Sequence, residues 1–390
     1  MAAWYARAAG QGVSQGGRLG ALAERLAPPL ALLLLGNMYL LGWRPLGEVV
    51  AAGLAILAVA ALAGGVLAPR LGYGLLRWLG GGVVVVLVGG LVSPAVTMAA
   101  AGRGAWLLAL AAACLVVACL LLRRWPAERL LRWLFLAGAA SAAVSSGWFL
   151  AQGLAGAERL IPLGRAHNPI PAAAALAAAG LAGVALWRGR ALAAPAALAG
   201  LVAIFLAMLL TQSRGPLLGF LAGLALLLAP MRAWRWWLPP LLFLAASCLV
   251  PAEGVLRDLF CTDELLACRP SLRQDLWSRS AALIATHPLA GLGVTYRLGA
   301  DWLNNPQNAV LGLALYFGLP FAALALAGWL RLLRATPAAA LPGPRWARAM
   351  MAFSAVYFAF EPSPFGYYNA HYVFFWLPLA MLSVEATSPR

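Results

Sequence analysis

Apolar runs of about 20 residues recur along the whole chain, separated by short gaps in which charged residues gather. About 20 such residues let a helix cross roughly 30 Å of hydrocarbon. The runs fall near residues 26–43, 46–68, 79–100, 105–122, 132–151, 169–187, 191–211, 215–230, 236–251, 308–330, 347–361 and 370–386. The pattern predicts an all-α, polytopic integral membrane protein of about twelve transmembrane helices, with residues 1–390 forming a single transmembrane domain. No sustained repeat, low-complexity tract or soluble domain interrupts it. Pro239, Pro240 and Pro320 lie inside runs and predict kinks, whose freed carbonyls must be satisfied by neighbouring helices because lipid cannot do so. The Ala, Leu and Gly richness of the runs suits close helix packing through small residues.

One segment departs from the pattern. Residues 252–307 form a long polar stretch that carries Arg257, Arg269, Arg273, Arg279 and Arg297 together with Glu253, Asp258, Asp263, Glu264, Asp275 and Asp301. Within it, Ser271 to Thr286 places Leu272, Leu276, Trp277, Ala281, Leu283 and Ile284 at the spacing of an amphipathic helix lying on the membrane face. His287-Pro288 ends that helix, and Gly291 and Gly293 predict a turn.

Composition agrees with a lipid-solvated chain: 63% of residues are hydrophobic and 10% charged, where soluble domains carry about 25%. The net charge of +16 would suggest nucleic acid in a soluble protein, but here it sits between apolar runs, where it sets orientation. All 28 basic residues are arginine. With the N-terminus inside, the interior segments collect 18 arginines and the short exterior loops 5, which supports both the orientation and the even number of spans. No apolar core with a small-residue cleavage site precedes the first run, so the first helix is expected to act as the insertion signal. Cys114, Cys119 and Cys248 lie in apolar runs and read as core residues. Cys261 and Cys268 flank an exterior polar stretch, where a disulfide and two free thiols both remain open.

Four short patterns carry candidate chemistry. Thr211-Gln-Ser-Arg214-Gly-Pro216 sits at the exterior junction of two runs, where an arginine either snorkels to water or binds an anion such as a diphosphate. Arg273-Gln-Asp-Leu276-Trp277-Ser-Arg279 places Arg273 and Trp277 on one helical face, suited to a charged head group and a sugar, or simply to an interface. Asn304-Asn-Pro-Gln307-Asn308 opens the next apolar run, where amides bind sugar hydroxyls or cap the helix. Arg165, His167 and His371 lie in two further exterior loops, and the two histidines titrate near neutral pH. Walker, zinc-ligand, dinucleotide and nucleophile-elbow motifs are missing from the sequence, as is a paired-Asp motif. No cofactor is therefore expected, no metal ligands are assigned, and nucleic acid is excluded as a partner.

Together, Ser213-Arg214-Gly215-Pro216, Arg273-x-x-Leu276-Trp277, His287-Pro288-Leu289-x-Gly291-x-Gly293 and Asn308-x9-Gly318-Leu-Pro resemble the signature region of the bacterial O-antigen ligases and the related O-antigen polymerases. The specific part of the resemblance covers residues 211–321. It implies an inverting, metal-independent glycosyltransferase at the periplasmic face of the inner membrane. Such an enzyme moves a glycan from undecaprenyl diphosphate to lipid A core, or to a second lipid-linked glycan in a polymerase. Arg214 and Arg273 would bind the diphosphate, with Arg279 and Arg165 as supporting cations. Gln307 and Asn308 would meet the acceptor, and Trp277, His167 and His371 would line the substrate site. One departure stands out: the family's histidine position before the amide holds Gln307, which is neither acid nor base near neutral pH. Three explanations stay open: another proton acceptor such as His371, His167 or Asp301, a different acceptor, or a chain without its base. A lipid-linked oligosaccharide flippase is the rival from another class, and it predicts charged residues within the spans.

Overall fold

The computed structural model describes residues 18–41, 45–46, 49–50, 52–53, 56–57, 81–88, 96–153, 159–164, 168–228, 273–299, 305–335, 341–361 and 375–386, and among these it is helical with no strand. The principal helices are α1 (Arg18–Gly36, continued by a π-helical turn Asn37–Leu41), α2 (Met98–Arg124), α3 (Ala127–Ala151), α4 (Pro169–Arg188), α5 (Ala194–Leu210), α6 (Arg214–Leu228), α7 (Arg273–Thr286), α8 (Ala309–Phe317), α9 (Leu319–Ala335), α10 (Pro342–Ala359) and α11 (Leu377–Ala386). Three of them are long and apolar enough to cross a membrane, namely Met98–Leu122 within α2, then α3 and α4. The expected span 236–251 and most of 46–68 lie outside the described residues, as does the first part of the polar segment.

Helix α4 is the centre of the bundle, buried from Ala172 to Leu186. Its side chains are nearly all alanine, glycine or leucine, so the surrounding helices approach its backbone closely. Rings fill the notches this leaves. Phe135 of α3 occupies the space that a side chain at Gly183 of α4 or Gly200 of α5 would need, and Phe220 of α6 does the same at Gly180. Phe353 of α10 seats against Gly219 of α6, where a Cβ would lie 2.8 Å from the ring. Two buried rings with polar tips use the spare lone pairs of α4: Tyr39 donates its hydroxyl to the Ala175 carbonyl at 2.6 Å, and Trp346 its indole N–H to Ala178 at 3.0 Å.

Helices α3 to α6 alternate in direction. At one end of the bundle lie Arg188, whose guanidinium donates to the Leu227 carbonyl, and Arg132, which reaches Glu128 and the Ala191 carbonyl. Arg345 reaches the Arg188 carbonyl at 3.5 Å from the same end. Arginines at helix C-termini there face the negative end of the helix dipoles. The opposite end collects residues 159–164, 211–214, 305–308 and 359–361, which hold most of the candidate patterns.

Three helix boundaries differ from the sequence expectation. The expected gap between residues 100 and 105 does not exist: α2 is continuous, starting at an N-cap where Thr97 accepts from the Ala100 N–H at 3.2 Å. Gly104 there serves packing, since a Cβ would meet Val86 at 3.0 Å and Phe317 at 3.1 Å. The expected span 308–330 is broken at Gly318, which has φ 88°, into α8 and α9. Helix α10 runs from Pro342 to Ala359 where the expected span was 347–361, so it starts earlier and leaves Glu361 at the head of the expected exterior segment that leads to His371.

Close packing makes a direct prediction. A side chain at Gly138 of α3 would fall on Ala179 of α4, so Gly138→Leu should destabilise by about 1–3 kcal/mol or more through overpacking. The melting temperature of the detergent-solubilised protein would report this. Gly147→Ala on the same helix, where a Cβ meets nothing within 4 Å, should leave it unchanged or raise it slightly.

Candidate functional site

The site forms around the end of α10. Its last carbonyls lack intrahelical partners, as at any helix terminus. The Ala359 carbonyl accepts a hydrogen bond from the Asn308 side-chain amide at 3.0 Å, while the oxygen of the same amide caps α8 by accepting from Leu311 N–H at 3.0 Å. Asn308 thus joins the start of α8 to the end of α10. Immediately before it, Gln307 adopts φ 51°, a left-handed conformation held by its N–H donating to Asn305 Oδ1 at 2.9 Å.

Helix α7 docks against this turn. The indole N–H of Trp277 donates to the Pro306 carbonyl at 2.9 Å, and Arg279 donates to the Leu298 carbonyl at 3.0 Å. At the first residue of α7, Arg273 pairs with Glu361 at 3.5 Å, and its guanidinium lies 5.7 Å from the centre of the Phe360 ring. From another side, Gly215 approaches the same phenylalanine, with 3.6 Å between its Cβ position and Phe360 Cβ. This places the exposed Arg214, the first residue of α6, beside the same structure. Beneath it, Phe353 stacks on Tyr357, which packs on Phe358, a floor of rings that fixes the last turns of α10.

Arg214, Arg273, Trp277, Gln307 and Asn308 are therefore brought together, although they come from segments about 50 to 145 residues away from the Ala359–Glu361 turn. Arg279 is engaged within its own segment. Arg165, His167 and His371 lie outside the described residues, as do Asp301, Cys261 and Cys268; Asn168, next to His167, caps α4 by accepting from Ile170 N–H at 3.0 Å.

The glycine pattern after α7 builds the scaffold. Leu292 N–H donates to the Leu315 carbonyl at 2.7 Å and Gly293 N–H to Tyr316 at 3.1 Å, satisfying the end of α8, and Leu319 N–H returns a bond to Pro288 at 2.7 Å. Gly291 at φ 66° passes so close that a Cβ would lie 2.6 Å from the Leu315 carbonyl oxygen, and one at Gly318 would strike the Leu289 carbonyl. His287 caps α7, and its ring nitrogen Nδ1 lies 2.9 Å from the Thr286 hydroxyl.

Two residues of the site were not singled out from the sequence. Arg159 donates to the Thr211 carbonyl at 2.9 Å and to the Ser213 hydroxyl at 3.0 Å, fixing the turn that presents Arg214. Glu361 is the only Asp, Glu, Arg or His among the described residues that is buried. Burial pushes its carboxyl from the ordinary 4.5 up to about 7, against the opposing pull of the Arg273 guanidinium. The available signal was an acid at the very end of an apolar run, a costly place for charge.

Two outcomes follow. Asn308→Ala loses both the cap and the bond to Ala359 and should lower the melting temperature by at least the worth of a cap, about 1 kcal/mol, and Asn308→Asp, which keeps the cap acceptor but sets an oxygen against the Ala359 carbonyl, should lower it as well. The raised acid of Glu361 has a sign in stability: between about 4.5 and about 7 the folded state binds the extra proton, so this group's contribution falls as pH rises through that window and is level above it. Melting temperatures of the protein minus those of Glu361→Gln, measured from pH 4.5 to 8, should trace that decline. No protein-family model matches this chain, and no curated protein matches it.

Proposed function

We propose that this chain is a membrane glycosyltransferase of the O-antigen ligase type, transferring a glycan from undecaprenyl diphosphate to lipid A core at the periplasmic face of the bacterial inner membrane. The observation that carries this reading is the convergence of Arg214, Arg273, Trp277 and the Gln307–Asn308 turn on the Ala359–Glu361 segment at one end of the bundle. Two arginines on neighbouring helix starts supply the planar donor forks that suit a diphosphate, and they stabilise the charge that develops on it as the glycosidic bond breaks. Helix α6 adds the positive end of its dipole beside Arg214. The energy of transfer resides in the donor's diphosphate linkage, so no nucleotide site is required. Attack from the side opposite the diphosphate gives inversion. Asn308 fixes the acceptor-side turn, and Gln307 orients the acceptor hydroxyl.

Transport of the same lipid-linked glycan fits less well. A path between the two faces needs charged groups along the spans. Among the described residues Glu361, the one charged residue buried as a whole, stands at the mouth beyond α10, and Arg348, whose Nε and Nη2 are buried, lies in the second turn of α10 at the opposite end, so no charged group is buried midway between them.

The test uses purified protein, an undecaprenyl-diphosphate-linked O-antigen and lipid A core, without ATP or added metal. Glycan should appear on lipid A core, and Arg214→Ala or Arg273→Ala should lower transfer by about 100-fold or more while leaving the melting temperature within a few degrees. Longer lipid-linked chains in place of core-linked product would identify a polymerase. Full activity in either arginine variant would remove the diphosphate role.

A further inference from the structure

The reaction needs a proton acceptor, and the position before Asn308 offers only Gln307. Among the described residues the one histidine, His287, is also unsuitable. Its turn docks on the carbonyls of Leu315 and Tyr316 at the far end of α8, a helix of 9 residues, which puts it about 13 Å along the axis from Asn308. One carboxylate stands at the mouth itself. Glu361 follows Ala359 by two residues, and the Ala359 carbonyl is held by the Asn308 amide, so Glu361 and Gln307 flank the same hydrogen-bonded junction.

The Arg273–Glu361 pair is built to exchange partners. At 3.5 Å it is an ion contact longer than a good hydrogen bond. Its cation side chain is 34% exposed and its carboxylate side chain 10%, so Arg273 is the partner that an anion from outside can reach. Among the described residues the charged group against the carboxylate is Arg273 at the start of α7; Arg214 stands one residue before Gly215, which packs on Phe360, and Phe360 from the end of α10 and Asn308 from the turn before α8 carry no charge.

We propose that Glu361 is the catalytic base of the transfer, released for that role when the donor's diphosphate engages Arg273. This rests on the glycosyltransferase reading above. The acceptor's hydroxyl oxygen bonds to the anomeric carbon of the donor glycan. The bond from that carbon to the diphosphate oxygen breaks, and its electron pair leaves on the diphosphate held by Arg214 and Arg273. The hydroxyl proton passes to the Glu361 carboxylate and from there to water. Removing the guanidinium that holds Glu361 ionised makes the carboxylate a stronger base at the moment the acceptor attacks.

The experiment is the pH dependence of the reconstituted transfer from undecaprenyl-diphosphate-linked O-antigen to lipid A core, for the natural protein, Glu361→Gln and Glu361→Asp. The natural protein should show an acid limb in kcat/KM near 7 and in kcat at higher pH, because the second reports the donor-bound state. Glu361→Gln should lose about 100-fold or more in kcat and flatten both limbs. It should also bind the donor several-fold more tightly, because Arg273 no longer has a competing carboxylate. Glu361→Asp should retain the limbs at an intermediate rate. Rescue of Glu361→Gln by an added Gln307→His would further support a proton-acceptor role. Transfer by Glu361→Gln at the natural rate with unchanged limbs would overturn the base while leaving the arginine site standing. Coincident kcat and kcat/KM limbs in the natural protein would overturn the exchange of partners without need of any variant. If the natural protein transfers nothing, both readings fall together.

Discussion

A helix that ends inside an apolar bundle leaves carbonyls that water cannot reach, and each must find a donor elsewhere in the chain. This constraint organises the site-bearing end of the protein. At that end the carbonyl of Ala359 is met by Asn308, those that close α5 by Arg159 and the N–H of Leu160, and that of Pro306, in the turn before α8, by Trp277; at the far end of α8 the closing carbonyls are met by the backbone of Leu292 and Gly293. In each case the donor comes from a different segment. Satisfying the ends of helices is therefore the same act as bringing distant segments together, and the candidate site is the place where the most of these bonds meet.

The motif residues consequently divide by role. Gly291, Gly293 and Gly318 allow one backbone to pass within contact of another, and Asn308, Trp277 and Arg279 spend their polar atoms on carbonyls. Arg214 at the start of α6 and Arg273 at the start of α7 occupy the mouth, with Glu361 as the countercharge to Arg273. A half-buried ion pair of this kind adds little to stability, since the desolvation of the buried carboxylate offsets much of its attraction to the partly exposed guanidinium. Its value lies in keeping a cation at an apolar mouth without a bound anion, in a form that an incoming anion can displace.

Much of this was legible from local pattern. The amphipathic spacing from Ser271 to Thr286 became α7, and its end at His287-Pro288 and the turn at Gly291 and Gly293 are where the sequence put them. What local pattern could not supply was the partner of each residue. Gly104 and Gly318 are both glycines in apolar runs; one packs under Phe317 within a continuous helix and the other breaks a helix at φ 88°. The difference is made by Leu289 and Pro288, some thirty residues upstream of Gly318, whose backbone occupies the space and supplies the bond. Arg159 and Glu361 were overlooked for the same reason, because each acquires its role from a partner 52 to 88 positions away.

On the proposed reading, the conformation of Gln307 bears on where the base lies. Left-handed φ is uncommon outside glycine, and histidine, with asparagine and aspartate, is several-fold enriched there. The backbone at 307 therefore does not select glutamine over histidine; its φ of 51° would accept an imidazole at least as readily. The choice falls on the side chain's chemistry. With a carboxylate already buried at the same mouth and pushed to about 7, a second group titrating near neutrality would be coupled to it through the low dielectric, each opposing the charge changes of the other. A neutral amide at 307 avoids that coupling, and in the proposed transfer it would still offer both a donor and an acceptor to a sugar hydroxyl while leaving the proton to one residue.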